Sequence, residues 1–176
     1  MKGIFVDLER CMGCKNCEVY CAVEHSAAKN LFPAVMEKPS PVRRISVESS
    51  GDTCLPLQCR HCEEAPCVDA CPSGAMKNNP ETGVVSHDQD RCIGCWMCAM
   101  VCPFGVISPQ PDSKIVLKCD RCPDLETPAC VSACPTKALL FDELANIMKK
   151  TRKNVTGRTI SATKKETITG GILCEP

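Results

Sequence analysis

Residues Cys92–Pro103 read CIGCWMCAMVCP, four cysteines within eleven residues, spaced by two, two and three positions. A proline closes the stretch, and the only tryptophan of the chain, Trp96, sits inside it. The device recurs. Residues 11–21 read CMGCKNCEVYC, residues 59–72 CRHCEEAPCVDACP and residues 119–135 CDRCPDLETPACVSACP. Each copy has a C-x-x-C pair, a third cysteine, and a fourth after three more residues. The gap before the third is two, four, two and seven residues in chain order. Sixteen of the eighteen cysteines belong to these groups, leaving Cys54 and Cys174.

The spacing has a chemical reading. Three thiolates on a tight loop can hold three irons of a cubane. The fourth faces away and serves a second cluster, as in the bacterial C-x2-C-x2-C-x3-C-P arrangement. Pro72, Pro103 and Pro135 follow the fourth cysteine in three copies, and group one has Ala22 there. Zinc is the competing reading of paired C-x-x-C motifs. The close third cysteine and the repeated C-P ending favour iron–sulfur. Cys54 and Cys174 are read as ordinary thiols outside the clusters.

Composition narrows the setting. The chain has 176 residues, 21 basic and 21 acidic side chains, and only 3% aromatic residues. Balanced charge gives no reason to expect a nucleic-acid or membrane-surface protein. MKGIFVDLERC lacks the long apolar core of a secretory signal, and no run of eighteen apolar residues exists. Arg43 and Arg44 lie mid-chain and precede no apolar stretch. A cytoplasmic location is expected, where clustered thiols stay reduced and bind metal rather than form disulfides.

Between the groups the sequence predicts short strands at Lys2–Val6, Ala75–Lys77, Val84–His87, Val106–Ser108, Ile115–Lys118 and Ala138–Phe141. NNPETG and PQPDSK mark the turns. Short helices are expected near each fourth cysteine. Segment 26–53 is read as a surface insertion around a strand at Val42–Val47. Asp142 is positioned to cap a helix carrying Leu144, Ile147 and Met148 on one face. Beyond it runs a tail containing Lys149, Lys150, Arg152, Lys153, Arg158, Lys164 and Lys165.

The fold class expected is α+β: two nested bacterial-ferredoxin-like modules, each with two [4Fe–4S] clusters, plus a C-terminal helix and tail. The outer module takes residues 1–58 and 104–141 (with insertion 26–53), the inner module 59–103, and the helix and basic tail 142–176. Spacing alone does not dictate which groups neighbour in space. A nested arrangement gives these ligand sets: Cys11, Cys14, Cys17 with Cys134; Cys59, Cys62, Cys67 with Cys102; Cys92, Cys95, Cys98 with Cys71; and Cys119, Cys122, Cys130 with Cys21. Four thiolates per cubane leave no iron open to substrate. The chain also lacks a G-x-G-x-x-G fingerprint and a nucleophile–base constellation. One-electron transfer through four [4Fe–4S] clusters is the function this predicts, with no catalytic residues.

Around the thiols, Gly13 and Gly94 are expected to admit backbone N–H groups to sulfur. Arg60–His61 and Asp120–Arg121 occupy the same places in groups two and four, where positive charge would raise a potential. Trp96 is expected to pack over a cluster, and His25 and His87 to be hydrogen-bonded or capping residues.

CMGCKNCEVYCAVEHS (11–26), LQCRHCEEAPCVDACPSGA (57–75) and RCIGCWMCAMVCPFG (91–105) resemble the electron-transfer subunits with four [4Fe–4S] clusters. These occur in formate dehydrogenase, hydrogenase and molybdoenzyme complexes, and the resemblance is nearest to the iron–sulfur subunit of carbon monoxide dehydrogenase, the CooF type. It covers roughly residues 1–141 and implies the nested two-ferredoxin fold and the pairing above. It also implies partners: a carbon monoxide dehydrogenase as donor, and a hydrogenase or a flavin-containing NAD(P) oxidoreductase as acceptor. The alternatives are the same wire in a formate dehydrogenase–hydrogenase complex, or a cluster- or zinc-stabilised sensor or interaction module.

Overall fold

The computed structural model describes residues 2–169 apart from 112, with side chains as far as 161. Cys174 and the side chains of Lys164 and Lys165 lie outside the described residues. Contacts divide the chain into residues 3–141 and a second unit that joins the residues before 3 to those from 142 onward.

Among the described residues, eight short strands form four two-stranded sheets. β1 (Lys2–Val6) neighbours β8 (Leu139–Glu143), which brings the start of the chain to the segment after group four. β4 (Met76–Asn79) and β5 (Val84–His87) pair antiparallel, Met76 opposite His87. Their turn is built by Asn79, whose Oδ1 accepts the Glu81 N–H at 2.9 Å and whose carbonyl accepts that of Gly83 at 2.8 Å. This asparagine turn is the local chemistry that NNPETG announces. β6 (Ser108–Pro109) and β7 (Val116–Leu117) form the third predicted pair, shorter than expected.

The fourth sheet departs from expectation. The predicted strand at Val42–Val47 runs as β2 (Ile45–Ser50) and pairs with β3 (Thr53–Gln58), which the sequence reading did not place. Pro56, opposite Val47, disguises β3; a sheet of two strands leaves each strand a free side where a missing N–H costs nothing. Segment 26–53 is therefore more than a surface insertion. Ala34, Ile45 and Val47 are buried, and Ile45 and Val47 join Cys17, Cys21, Cys130 and Cys134 in one core. Glu18 holds the hairpin on the first helix: its Oε1 accepts the Val47 N–H at 2.5 Å and its Oε2 pairs with Arg43 at 3.3 Å. A second core gathers Met76, Cys98, Ile107 and Val116. Both cores include cysteines, which stand where a chain so poor in aromatics lacks large fillers.

Helices α1 (Asn16–Glu24), α3 (Pro66–Asp69), α4 (Met97–Met100) and α5 (Ala129–Ser132) accompany the four groups; α2 (Leu31–Met36) lies within segment 26–53. The four begin one residue before the third cysteine, not near the fourth. Lys15 and Trp96, in the left-handed region, and Ala65 and Pro128, extended, turn the chain into the helix at that point. The third cysteine thus always sits in the first turn, where backbone N–H groups lack helical partners. The fourth comes one turn later. In three copies the helix stops there, ahead of proline. In group one Ala22 lets α1 continue to Glu24, so Cys21 lies inside a helix.

In the second unit α6 (Leu144–Thr169) follows Asp142. Asp142 accepts the Glu143 N–H and the Asn146 amide at 2.8 Å, and Lys150 at 2.8 Å, close to the capping role expected. Leu144 and Met148 are exposed and Ile147 is half-buried. No described helix is long and apolar enough to cross a membrane.

Candidate iron–sulfur sites

The four loops share a backbone turn. The third residue of each C-x-x-C has positive φ: Gly13 (68°), His61 (50°), Gly94 (67°) and Arg121 (66°). At Gly94 an added Cβ would stand 2.2 Å from the Lys114 carbonyl oxygen, and at Gly13 it would stand 2.7 Å from Cys54 Sγ. Close packing by neighbours, together with the positive φ, favours glycine at these two positions. His61 and Arg121 carry side chains in the same strained region, and both are anchored. His61 Nδ1 accepts the Val85 N–H at 3.1 Å, while Arg121 donates to the Thr82 and Gly83 carbonyls at 3.3 and 3.4 Å.

Two of the four expected cysteine sets each line a cavity of their own. Cys11, Cys14, Cys17 and Cys134 line one cavity, walled by Val47, Pro56 and Leu139. Cys71, Cys92, Cys95 and Cys98 line another, with Met76, Trp96 and Val116 around them. Trp96 thus packs against this group. Cys67 interacts electrostatically with Cys59 and Cys102, and Cys62 is half-buried on the same loop. Cys130 lies in the electrostatic reach of Cys119, Cys21 and Cys122, and also of Cys17 from group one. Cys14 and Cys95 are exposed, and the other fourteen are buried or half-buried. All described cysteines, Cys54 included, are free of disulfides.

Burial pushes the Cys17, Cys67 and Cys122 thiols up to about 11, Cys119 to about 12, and Cys130 up further. Bare, these sites hold protons; a bound cation replaces them and claims the thiolates. Cys71 and Cys134 shift the other way. Burial raises them, but backbone N–H groups and a hydroxyl outweigh it and leave both lowered. Ser73 Oγ is 3.6 Å from Cys71 Sγ and Thr136 Oγ1 is 3.7 Å from Cys134 Sγ, matched positions in C-P-S and C-P-T. Backbone N–H groups also reach sulfur from Arg44 to Cys21 and from Ala138 to Cys134 at 3.2 Å, and from His61 to Cys59 at 3.4 Å.

Several buried polar atoms have no partner in the protein. They include both ends of the Gln58 amide, Nε2 of His61 and Nε2 of His87. Gln58 precedes Cys59, His61 lies between Cys59 and Cys62, and His87 lines the cavity of Cys71, Cys92, Cys95 and Cys98. Buried N–H groups require acceptors, and cluster sulfurs are acceptors. Sets of four soft thiolate donors, with N–H groups aimed at sulfur and others left over, fit [4Fe–4S] clusters.

His25 ends α1 and is hydrogen-bonded, as expected: its Nδ1 is 2.7 Å from the Cys21 carbonyl and its Nε2 is 3.2 Å from Asp120 Oδ1. Burial pulls this imidazole down, but its bonds to Asp120 and Cys21 outweigh burial and raise it to about 9. Asp120 also receives Arg44 and the Cys122 N–H. His25, Asp120 and Cys122 form the one metal-capable grouping found beyond the cysteine sets among the described residues, and Arg44 already neutralises its carboxylate. Arg60 is exposed and lies over the Phe104 ring at 5.8 Å, so water screens its charge. Sequence reasoning missed Gln58, Arg44 and Lys118. None belongs to a motif; only burial or a distant partner singles them out.

The chain matches the 4Fe-4S dicluster domain over residues 52–144 and a 4Fe-4S binding domain over residues 8–24. It is 38% identical to an iron-sulfur protein of Rhodospirillum rubrum, over 80% of this chain and 82% of that protein. It is 38% identical to the thiosulfate reductase electron transfer subunit PhsB of Salmonella typhi, over 78% of this chain and 73% of that protein. Against the electron transport protein HydN of Escherichia coli the identity is 37%, over 78% of this chain and 85% of that protein. With its cysteine-lined sites and these relatives together, the protein belongs to the 4Fe-4S ferredoxin-like family of iron–sulfur electron-transfer subunits.

Proposed function

We propose that the protein binds four [4Fe–4S] clusters and relays electrons from a carbon monoxide dehydrogenase to a hydrogenase or a flavin-containing NAD(P) oxidoreductase, in the cytoplasm. The ligand sets are Cys11, Cys14, Cys17 and Cys134; Cys59, Cys62, Cys67 and Cys102; Cys92, Cys95, Cys98 and Cys71; and Cys119, Cys122, Cys130 and Cys21. Residues 59–103 form the inner module, and 1–58 with 104–141 the outer one. The observation that carries this reading is the pair of cavities lined by four cysteines each, beside buried N–H groups that lack acceptors.

Bound clusters supply one-electron transfer. The chain's own residues supply the rest. Backbone N–H groups of Arg44, His61 and Ala138 hold sulfur ligands. Trp96, Val116, Val47 and Leu139 keep water from the two cavities. Complete thiolate ligation leaves no place for a substrate, which favours a non-catalytic subunit. The loops run in the order three, two, four, one. Lys118 bridging groups two and four supports this order, as do the exposed Cys14 and Cys95 at its two ends. The choice of carbon monoxide dehydrogenase rests on the resemblance of residues 11–26, 57–75 and 91–105.

The test is anaerobic iron and sulfide analysis with an EPR-monitored reductive titration. About sixteen irons per chain are expected. A count near half of that, or zinc, overturns the ligand sets. Co-purified nickel supports the carbon monoxide dehydrogenase partner; molybdenum or tungsten favours a formate dehydrogenase complex instead.

A further inference from the structure

Lys118 is 4% exposed, the one buried lysine or arginine among the described residues. Its Nζ donates to the Cys119 carbonyl at 2.9 Å and to the Val85 carbonyl, and stands 3.5 Å from His61 Nδ1. It therefore touches the loop of group two, the strand β5 and the loop of group four at once. No ion pair among the described residues includes it. His61 adds no charge of its own. Its Nδ1 accepts the Val85 N–H, which leaves a neutral ring with its proton on Nε2.

A buried ammonium solvated only by carbonyl oxygens is costly unless an anion lies nearby. The thiolate sets on either side are such anions. Reducing a thiolate-ligated cubane adds negative charge, and a fixed cation in a low-dielectric interior favours that state.

We propose that Lys118 is a built-in positive charge between the two middle cluster sites, those of groups two and four, and that it raises their reduction potentials relative to the two end sites. The inference rests on the four-cluster reading above. Electrons then reside in the middle of the chain rather than at the exposed ends.

The test compares Lys118→Met, Lys118→Gln and Lys118→Arg with the wild-type protein by anaerobic EPR-monitored titration with dithionite. Gln keeps an N–H donor for the Val85 carbonyl without the charge, so it guards against misfolding of the Met variant. In the neutral variants two of the four potentials should fall, each by at least a tenfold change in the reduction equilibrium, about 59 mV for one electron. The other two should stay in place, and Lys118→Arg should keep all four. Four unmoved potentials in a neutral variant that retains wild-type iron overturn the proposal. So does an Arg variant that falls as far as the neutral ones, because packing rather than charge would then be at work. A wild-type protein with too few irons refutes the four-cluster reading instead, and the two failures are distinguishable.

Discussion

His25 Nε2 lies 3.2 Å from Asp120 Oδ1, a contact between residues 95 positions apart. The other carboxylate oxygen of Asp120 receives Arg44 from segment 26–53. One carboxylate thus ties the end of α1, the β2–β3 hairpin region and the loop of group four around Cys21. Asp120→Ala leaves His25 and Arg44 without this partner. It should cost the cluster-loaded protein about 1–2 kcal/mol, since hydrogen bonds to charged groups are strong but Asp120 is partly exposed. Anaerobic thermal melting checks this; an unchanged midpoint would refute it.

The same contact makes stability depend on pH. Burial lowers the His25 imidazole, but Asp120 and Cys21 raise it to about 9 from an ordinary 6.5. A base raised by folding contributes fully below its unfolded value and loses that contribution as pH rises through the folded one. The stability gap between wild type and Asp120→Asn should therefore narrow between pH 6.5 and about 9. A gap constant across that range would remove His25 from the account.

Gly94 and Gly105 both have positive φ, but their surroundings differ. A Cβ at Gly94 meets the Lys114 carbonyl oxygen at 2.2 Å, while one at Gly105 meets nothing within 4 Å. Gly105→Ala should cost only the left-handed strain, about 1–2 kcal/mol. Gly94→Ala must also displace the backbone at Lys114. It should lose the cluster of Cys92, Cys95 and Cys98, read as about four irons fewer per chain. Equal iron in both variants would show that the Lys114 contact gives way freely.

Cys95 and Cys54 offer a second pair. Cys95 is exposed in the group-three loop, and Cys54 is half-buried on β3 with its sulfur against Gly13. Cys95→Ser should remove or weaken one cluster signal, whereas Cys54→Ser should keep full iron content. Loss of iron in the Cys54 variant would require redrawing the first ligand set.

Much of the site was legible because its chemistry is local. A C-x-x-C turn with its third cysteine is one short loop, so spacing alone exposes all four copies. The start of the helices was misread. The residue that breaks into the helix is Lys15, Ala65, Trp96 or Pro128, and no single residue type marks it. β3 was missed because Pro56 argues against a strand until the partner is known to lie on one side only. Lys118 reads as one surface lysine among many, because burial is a property of what folds over a side chain.

The amino-acid order by itself determined the iron–sulfur chemistry and the repeated loop geometry, since both depend on neighbours a few residues apart. It also determined where α1 outruns its counterparts, through Ala22 in place of proline. Only the tertiary structure decided which thiols share a cavity, that Arg44 and His25 meet at Asp120, and that Lys118 lies between groups two and four. Those relationships join residues far apart in the chain. They exist because burying the cysteine-lined cores forces distant segments together, and no local preference encodes which segments meet.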